Sequence, residues 1–135
     1  MSTIDRKELY SVEFILSIIR SGVESVVLDG DTIRLTSLKY ALFLEKGVEC
    51  VSCSLVGMFF AKERDEGDKR DSFNSYYLSL YGLTPEGEEV LITKDHVQPR
   101  SRGGEDAVSN MQTMCVICNH RKGNKFTRDD YQYLK

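Results

Sequence analysis

Leu9, Val12, Leu16 and Ile19 recur at helical spacing until Ser21-Gly22 interrupts them, and Asp5 with Glu8 three residues on has the form of a capping box. The pattern predicts a helix from about residue 6 to 20. Val26-Val27-Leu28 and Thr32 to Leu35 are two short β-rich runs on either side of Asp29-Gly30-Asp31, which predicts a hairpin. Leu38, Ala41, Leu42 and Glu45 then mark a second helix, capped by Thr36 or Ser37 and closed by Gly47.

Val56 to Ala61 has strand composition. From Lys62 to Asp71 nine residues in ten are charged, and such a run is expected as a solvated loop. Tyr76 to Leu83 and Glu88 to Thr93 are β-rich around the turn residues Thr84-Pro85-Glu86-Gly87. The second of them runs on into Asp95-His96. Asn110 to Met114 is expected to be short and extended, Cys115 to Lys122 helical, and a last helix to follow Thr127.

The chain has 135 residues, which suits one domain: an N-terminal extension over 1–47 and a module over 48–135. No apolar run is long enough to span a bilayer, and the short Phe14 to Ile19 run, broken by Ser17, is unlike a secretory segment. The reading is of a protein without a membrane partner that works inside a cell, in bacterial cytoplasm or as a phage product in its host. Its net charge of −3 conceals a division. Residues 1–89 hold 10 basic and 16 acidic side chains (−6), whereas residues 90–135 hold 8 basic and 5 acidic (+3). Phosphate attraction depends on the field within about 10 Å, so the acidic total does not exclude a nucleic-acid partner.

All four cysteines fall in Cys-x-x-Cys pairs, Cys50/Cys53 and Cys115/Cys118. Two such knuckles can complete a tetrahedral Cys₄ zinc site; the alternatives are two disulfides or four reduced core cysteines. Four thiolates would leave no open position on the metal, so this zinc is expected to hold the fold.

The remaining chemistry lies between Lys94 and Lys125. Asp95-His96 is followed by Pro99-Arg100-Ser101 and Gly103-Gly104, then by Asn110 fourteen positions after His96, and by Cys115-Val116-Ile117-Cys118-Asn119-His120-Arg121-Lys122-Gly123. This ordered set resembles the HNH endonucleases. The resemblance implies an α+β fold with a ββα-metal core, the first strand carrying Asp95 and His96, the second beginning at Asn110, and the helix carrying Asn119. The N-terminal extension is expected, from its own residue pattern, to be a helix-hairpin-helix.

For activity the resemblance implies Mg²⁺-dependent hydrolysis of DNA that leaves 5′-phosphate ends. Chemistry agrees with that assignment. A neutral imidazole suits His96 as the base for water, and the carboxylate of Asp95 and amide oxygen of Asn119 are hard ligands suited to Mg²⁺ or Mn²⁺. By the same resemblance Asn110 orients His96, while Arg121, Lys122 and Lys125 are candidates for flanking phosphates. The ligand position holds Asn119 where the family name has a His, with His120 beside it; a helical step of about 100° keeps both from facing one metal. Ser54 stands after Cys53 where Gly is common in such knuckles.

A single Asp-His…Asn…Asn set implies one strand cut per engagement, by a monomer or by a dimer formed on DNA, or within a larger assembly. The competing reading is a zinc-stabilised module that binds DNA or protein without cutting.

Overall fold

The computed structural model describes residues 4–65 and 75–123. It is an α+β protein. Strands β1 (Ile4–Ser11), β4 (Gly57–Asp65), β5 (Tyr77–Leu83), β6 (Glu89–His96) and β7 (Met111–Cys115) form one antiparallel sheet in the order β1-β4-β5-β6-β7. Helices α1 (Val12–Arg20) and α2 (Leu38–Lys46) flank a separate hairpin, β2 (Ser25–Leu28) with β3 (Asp31–Arg34), and α3 (Val116–Lys122) follows β7. Among the described residues these are the three α-helices.

The N-terminus departs from the helix expected over about residues 6 to 20. Residues 4–11 are a strand, and α1 begins only at Val12, where Ser11 rather than Asp5 is the cap: Phe14 N donates to Ser11 Oγ at 3.1 Å. Asp5 instead accepts from Arg64 Nε (3.0 Å) and Tyr76 Oη (2.7 Å). The cause is a ladder of opposite charges, with Asp5 across from Arg64, Arg6 from Glu63 and Glu8 from Lys62. Opposite charges directly across an antiparallel pair stabilise it, so partners distant in sequence override the local helical spacing.

The same ladder corrects the expected loop after Ala61. Lys62 and Glu63 lie within β4 and are only 1% exposed. The Lys62 ammonium donates to Leu28 O, Asp29 O and Asp31 Oδ2, while Glu63 accepts from Tyr81 Oη at 2.6 Å. A charge can be buried when all its bonding capacity is met. The charged run from residue 66 on lies outside the described residues, as does the helix expected after Thr127.

The hairpin turns at Asp29 (φ 48°) and Gly30 (φ 85°), the pair of positive φ values that a two-residue turn matched to strand twist requires. Ile15 of α1, Tyr40, Leu42 and Phe43 of α2, and Ile33 of β3 meet Phe60, Leu78, Leu80, Ile92 and Met114 of the sheet in one core. Each large apolar side chain so buried contributes about 1.5–3 kcal/mol. Tyr40 carries a hydroxyl into this core, where it donates to Leu78 O and accepts from Leu78 N.

Between α2 and β4 the chain makes a knuckle, closed by Cys50 N to Leu55 O (2.8 Å) and Ser54 N to Cys50 O (2.9 Å). Ser54 holds φ at 68°, the conformation that Gly would take at least cost. The knuckle also covers the outer edge of β7. Val51 N donates to Thr113 O, Thr113 Oγ1 to Gly47 O, and Lys46 Nζ to Met111 O.

Candidate active site and metal centre

The knuckle brings Cys50 and Cys53 against Cys115, at the end of β7, and Cys118, one turn into α3. The four Sγ atoms all lie within 4.8 Å of one another, with Cys53 and Cys115 at 3.7 Å. A tetrahedral ion with bonds of about 2.3 Å to sulfur needs edges near 3.8 Å, so the cluster can hold a metal such as zinc. No disulfide joins any of them. Burial pushes the Cys115 thiol up to about 12 and also raises Cys53. In Cys50 burial acts the same way, but backbone N–H groups of Cys115, Cys53 and Ser52 outweigh it and bring the thiol to about 7. Crowded sulfurs cannot all become anionic unaided, and a bound dication removes that obstacle.

On the other side of Cys118, α3 and the C-terminal end of β6 enclose a cavity of about 310 Å³, lined by Lys94, Asp95, His96, Arg100, Asn119 and Lys122 among others. Asp95 and His96 are the last two residues of β6, and Asn119 lies in the middle of α3. Asn119 Nδ2 donates to Thr93 Oγ1 (3.0 Å) and Lys94 O (3.4 Å), so Oδ1 is the atom that could hold a cation. His120 is exposed and does not line the cavity, so Asn119 is the residue brought beside Asp95.

Asp95 is 7% exposed and accepts at Oδ2 from Gln112 Nε2 (3.0 Å), its cross-strand neighbour. The same oxygen meets Lys122 Nζ at 3.0 Å, and that ammonium also donates to His96 O at 2.9 Å. Lys122, expected to face flanking phosphates, is turned inward onto Asp95. Only 8% of its side chain is exposed. Arg121 is exposed, and Lys125 lies outside the described residues.

The structure also corrects the expected contact between Asn110 and His96. Asn110 immediately precedes β7, and its amide is spent on backbone: Oδ1 accepts from Gln98 N (3.0 Å), while Nδ2 donates to Gln98 O (3.1 Å) and Glu105 O (2.9 Å). It therefore pins both limbs of the loop from 97 to 110. The imidazole's partner is Asp106, with Oδ1 2.6 Å from His96 Nε2. Neither Asp106 nor Gln112 could be singled out from spacing. Gln112 is identified only by its register opposite Asp95, and Asp106 only by the path of the loop.

Glycine makes that path possible. A Cβ on Gly104 would stand 1.7 Å from Gln98 O, so no side chain fits there, and Gly104 N donates to Pro99 O at 3.0 Å.

The donors in the cavity are a carboxylate and an amide oxygen, which fit a hard divalent cation and not a thiophilic one. The cysteine cluster has the opposite preference. The two candidate centres are thus separated by chemistry although Cys118 and Asn119 are adjacent residues.

No curated protein and no solved structure matches the chain. A family model does: residues 84–130 match the one described as HNH endonuclease. That segment contains every residue lining the cavity and one of the two cysteine pairs, and over it the chain is similar to the HNH endonucleases, a family of nucleases.

Proposed function

We propose that the protein hydrolyses DNA phosphodiester bonds, with His96 as the base, Asp95 and Asn119 as ligands of Mg²⁺ or Mn²⁺, and the four cysteines on a structural Zn²⁺. The observation that carries the reading is the convergence of Asp95, His96 and Asn119 on one cavity. β6, β7 and α3 would be its ββα-metal core. When bound, the divalent cation supplies Lewis-acid stabilisation of charge developing on the phosphate.

The chain's own groups do the rest. His96 takes a proton from the attacking water as the new O–P bond forms, and the bond from phosphorus to the 3′ oxygen breaks, leaving a 5′-phosphate. Asp95 and Asn119 fix where the phosphate is held. Arg100 at the cavity's rim, with Arg121 and Lys125, offers charge to flanking phosphates. We read the chain as one folded unit, since β1 from the N-terminus hydrogen-bonds to β4 and α2 abuts β7. One such site cuts one strand per engagement, so a monomer would nick; a cut through both strands would need a second copy on the DNA or a larger assembly.

Supercoiled plasmid incubated with the zinc-loaded protein and Mg²⁺ is expected to give open-circular DNA before linear DNA, to give neither with EDTA, and to be left intact by His96→Ala. DNA binding without cleavage in Mg²⁺ and in Mn²⁺ would favour the binding module instead. Undiminished cleavage by His96→Ala would remove His96 from its role.

A further inference from the structure

Asp106 lies in the loop between the two strands of the site, β6 and β7. Its Oδ1 stands 2.6 Å from His96 Nε2, and its Oδ2 is 3.6 Å from Arg100 Nε. The placement is built in rather than incidental. Asn110 ties Gln98 to Glu105, the residue before Asp106, through three hydrogen bonds. Gly104 lets the returning chain pass against Gln98 O, and Val97 N donates to Asn110 O at 2.8 Å. The loop is closed on itself at both ends, and what it presents to the imidazole is a carboxylate.

We propose that Asp106 is a positioning residue for His96, accepting the Nε2 proton and so holding the neutral ring in the tautomer whose Nδ1 lone pair receives the proton of water. The inference rests on the proposed role of His96 as base. A neutral imidazole has one nitrogen that donates and one that accepts, and the partner of the first decides the identity of the second. A carboxylate can only accept, so it leaves a single arrangement. The hydrogen bond from His96 holds the Asp106 carboxyl below the usual carboxylate range, which keeps it in the accepting form. Asn110 then acts on His96 at one remove, by fixing the backbone from which Asp106 reaches the ring.

The test uses the full zinc-loaded chain and the variants Asp106→Ala, Asp106→Asn and Asp106→Glu. Asp106→Ala is expected to lower kcat on plasmid by about 100-fold, the scale of a general base's contribution, with KM unchanged. Asp106→Glu should recover most of the loss, and Asp106→Asn, which can donate to the ring instead, should not.

The second readout does not depend on cleavage. Nitrogen NMR of the imidazoles at about pH 8, where an ordinary histidine is neutral, is expected to show His96 with a protonated Nε2 and a bare Nδ1. A mixture of tautomers should replace it in Asp106→Ala, with His96→Ala identifying the resonances. An unchanged His96 tautomer in Asp106→Ala overturns the proposal, whatever happens to the rate. So does a kcat within about threefold of the parent, or a rise in KM equal to the fall in kcat/KM. If the parent itself does not cut DNA in Mg²⁺ or Mn²⁺, the nuclease reading fails, while the tautomer measurement still reports whether Asp106 sets the ring.

Discussion

Replacing Lys122 by Met keeps an unbranched apolar stem and removes the ammonium that lies between Asp95 and His96 O. Both side chains are 8% exposed and the charged atoms are 3.0 Å apart. At that distance, with an effective dielectric of about 20, their attraction is roughly 5–6 kcal/mol before desolvation is counted. Breaking one side of such a buried pair typically costs about 3–5 kcal/mol, because the remaining charge is left uncompensated. Gln112 still donates to Asp95, so we expect the low end, about 3 kcal/mol in buffer containing zinc but no Mg²⁺.

Mg²⁺ should then rescue the variant more than the parent. In the parent a cation already faces Asp95, whereas in Lys122→Met the carboxylate has none. A ligand that binds only the folded state at 100 times its dissociation constant contributes about 2.7 kcal/mol, nearly the whole deficit. Urea unfolding at several Mg²⁺ concentrations, followed by circular dichroism, measures both numbers, and calorimetric titration gives the affinities directly. A Lys122→Met protein within about 1 kcal/mol of the parent would show that the pair is not energetically closed off from water. Equal Mg²⁺ stabilisation of both proteins would show that the ammonium and the metal do not share the carboxylate.

The purified protein is expected to carry one zinc per chain by elemental analysis, and Cys115→Ser to unfold it. Zinc in the cluster would close the 62-residue separation between Cys53 and Cys115, worth about 4 kcal/mol if ligation restrains the unfolded chain as a disulfide does; folded, reduced protein without zinc would refute this. Ser54→Gly should raise stability by up to about 1 kcal/mol in urea unfolding, since φ at 68° strains a residue with a Cβ, and a loss would show that the Ser side chain matters more than the backbone. Burial lowers Lys39 to about 8, so between there and its ordinary value near 10.5 the unfolded chain binds more protons than the folded one, and stability from this group rises with pH across that window. Lys39→Met should therefore be the more stable protein at pH 7, about a unit below that window, and should lose the upward slope; a parallel pH profile would count against it.

How much of this was legible in the sequence depended on whether the governing contacts were local. The hairpin was, because Asp29-Gly30 supplies the two positive φ values itself. Asp95, His96 and Asn119 were legible because two adjacent strands and the following helix hold them at fixed intervals. The strand at 4–11 was hidden because its reason lies in residues 62–65, more than fifty positions away. A complementary charge order was nonetheless present: Asp5, Arg6 and Glu8 meet Arg64, Glu63 and Lys62 when the second run is read backwards. Lys62 and Glu63 looked like solvated charges because nothing nearby in sequence announces Leu28 O, Asp31 or Tyr81 as partners. Lys122 carried the right charge for a phosphate contact, and only the packing of α3 on β6 shows that it is committed to Asp95.

The two ends of the sheet bear on how a second copy of the chain could ever be recruited. At β7 two of the backbone groups that a neighbouring strand would need are taken, Thr113 O by the knuckle and Met111 O by Lys46 of α2. At β1 the ladder is broken between Arg6 and Glu8, and Lys7 projects a further charge there. Interrupted, lysine-bearing borders discourage the docking of another strand, and a covered one forbids it. Aggregation by sheet extension is disfavoured for the same reason. A pair of molecules assembled to sever both DNA strands would then meet more readily through side chains or through the DNA itself than by extending the sheet.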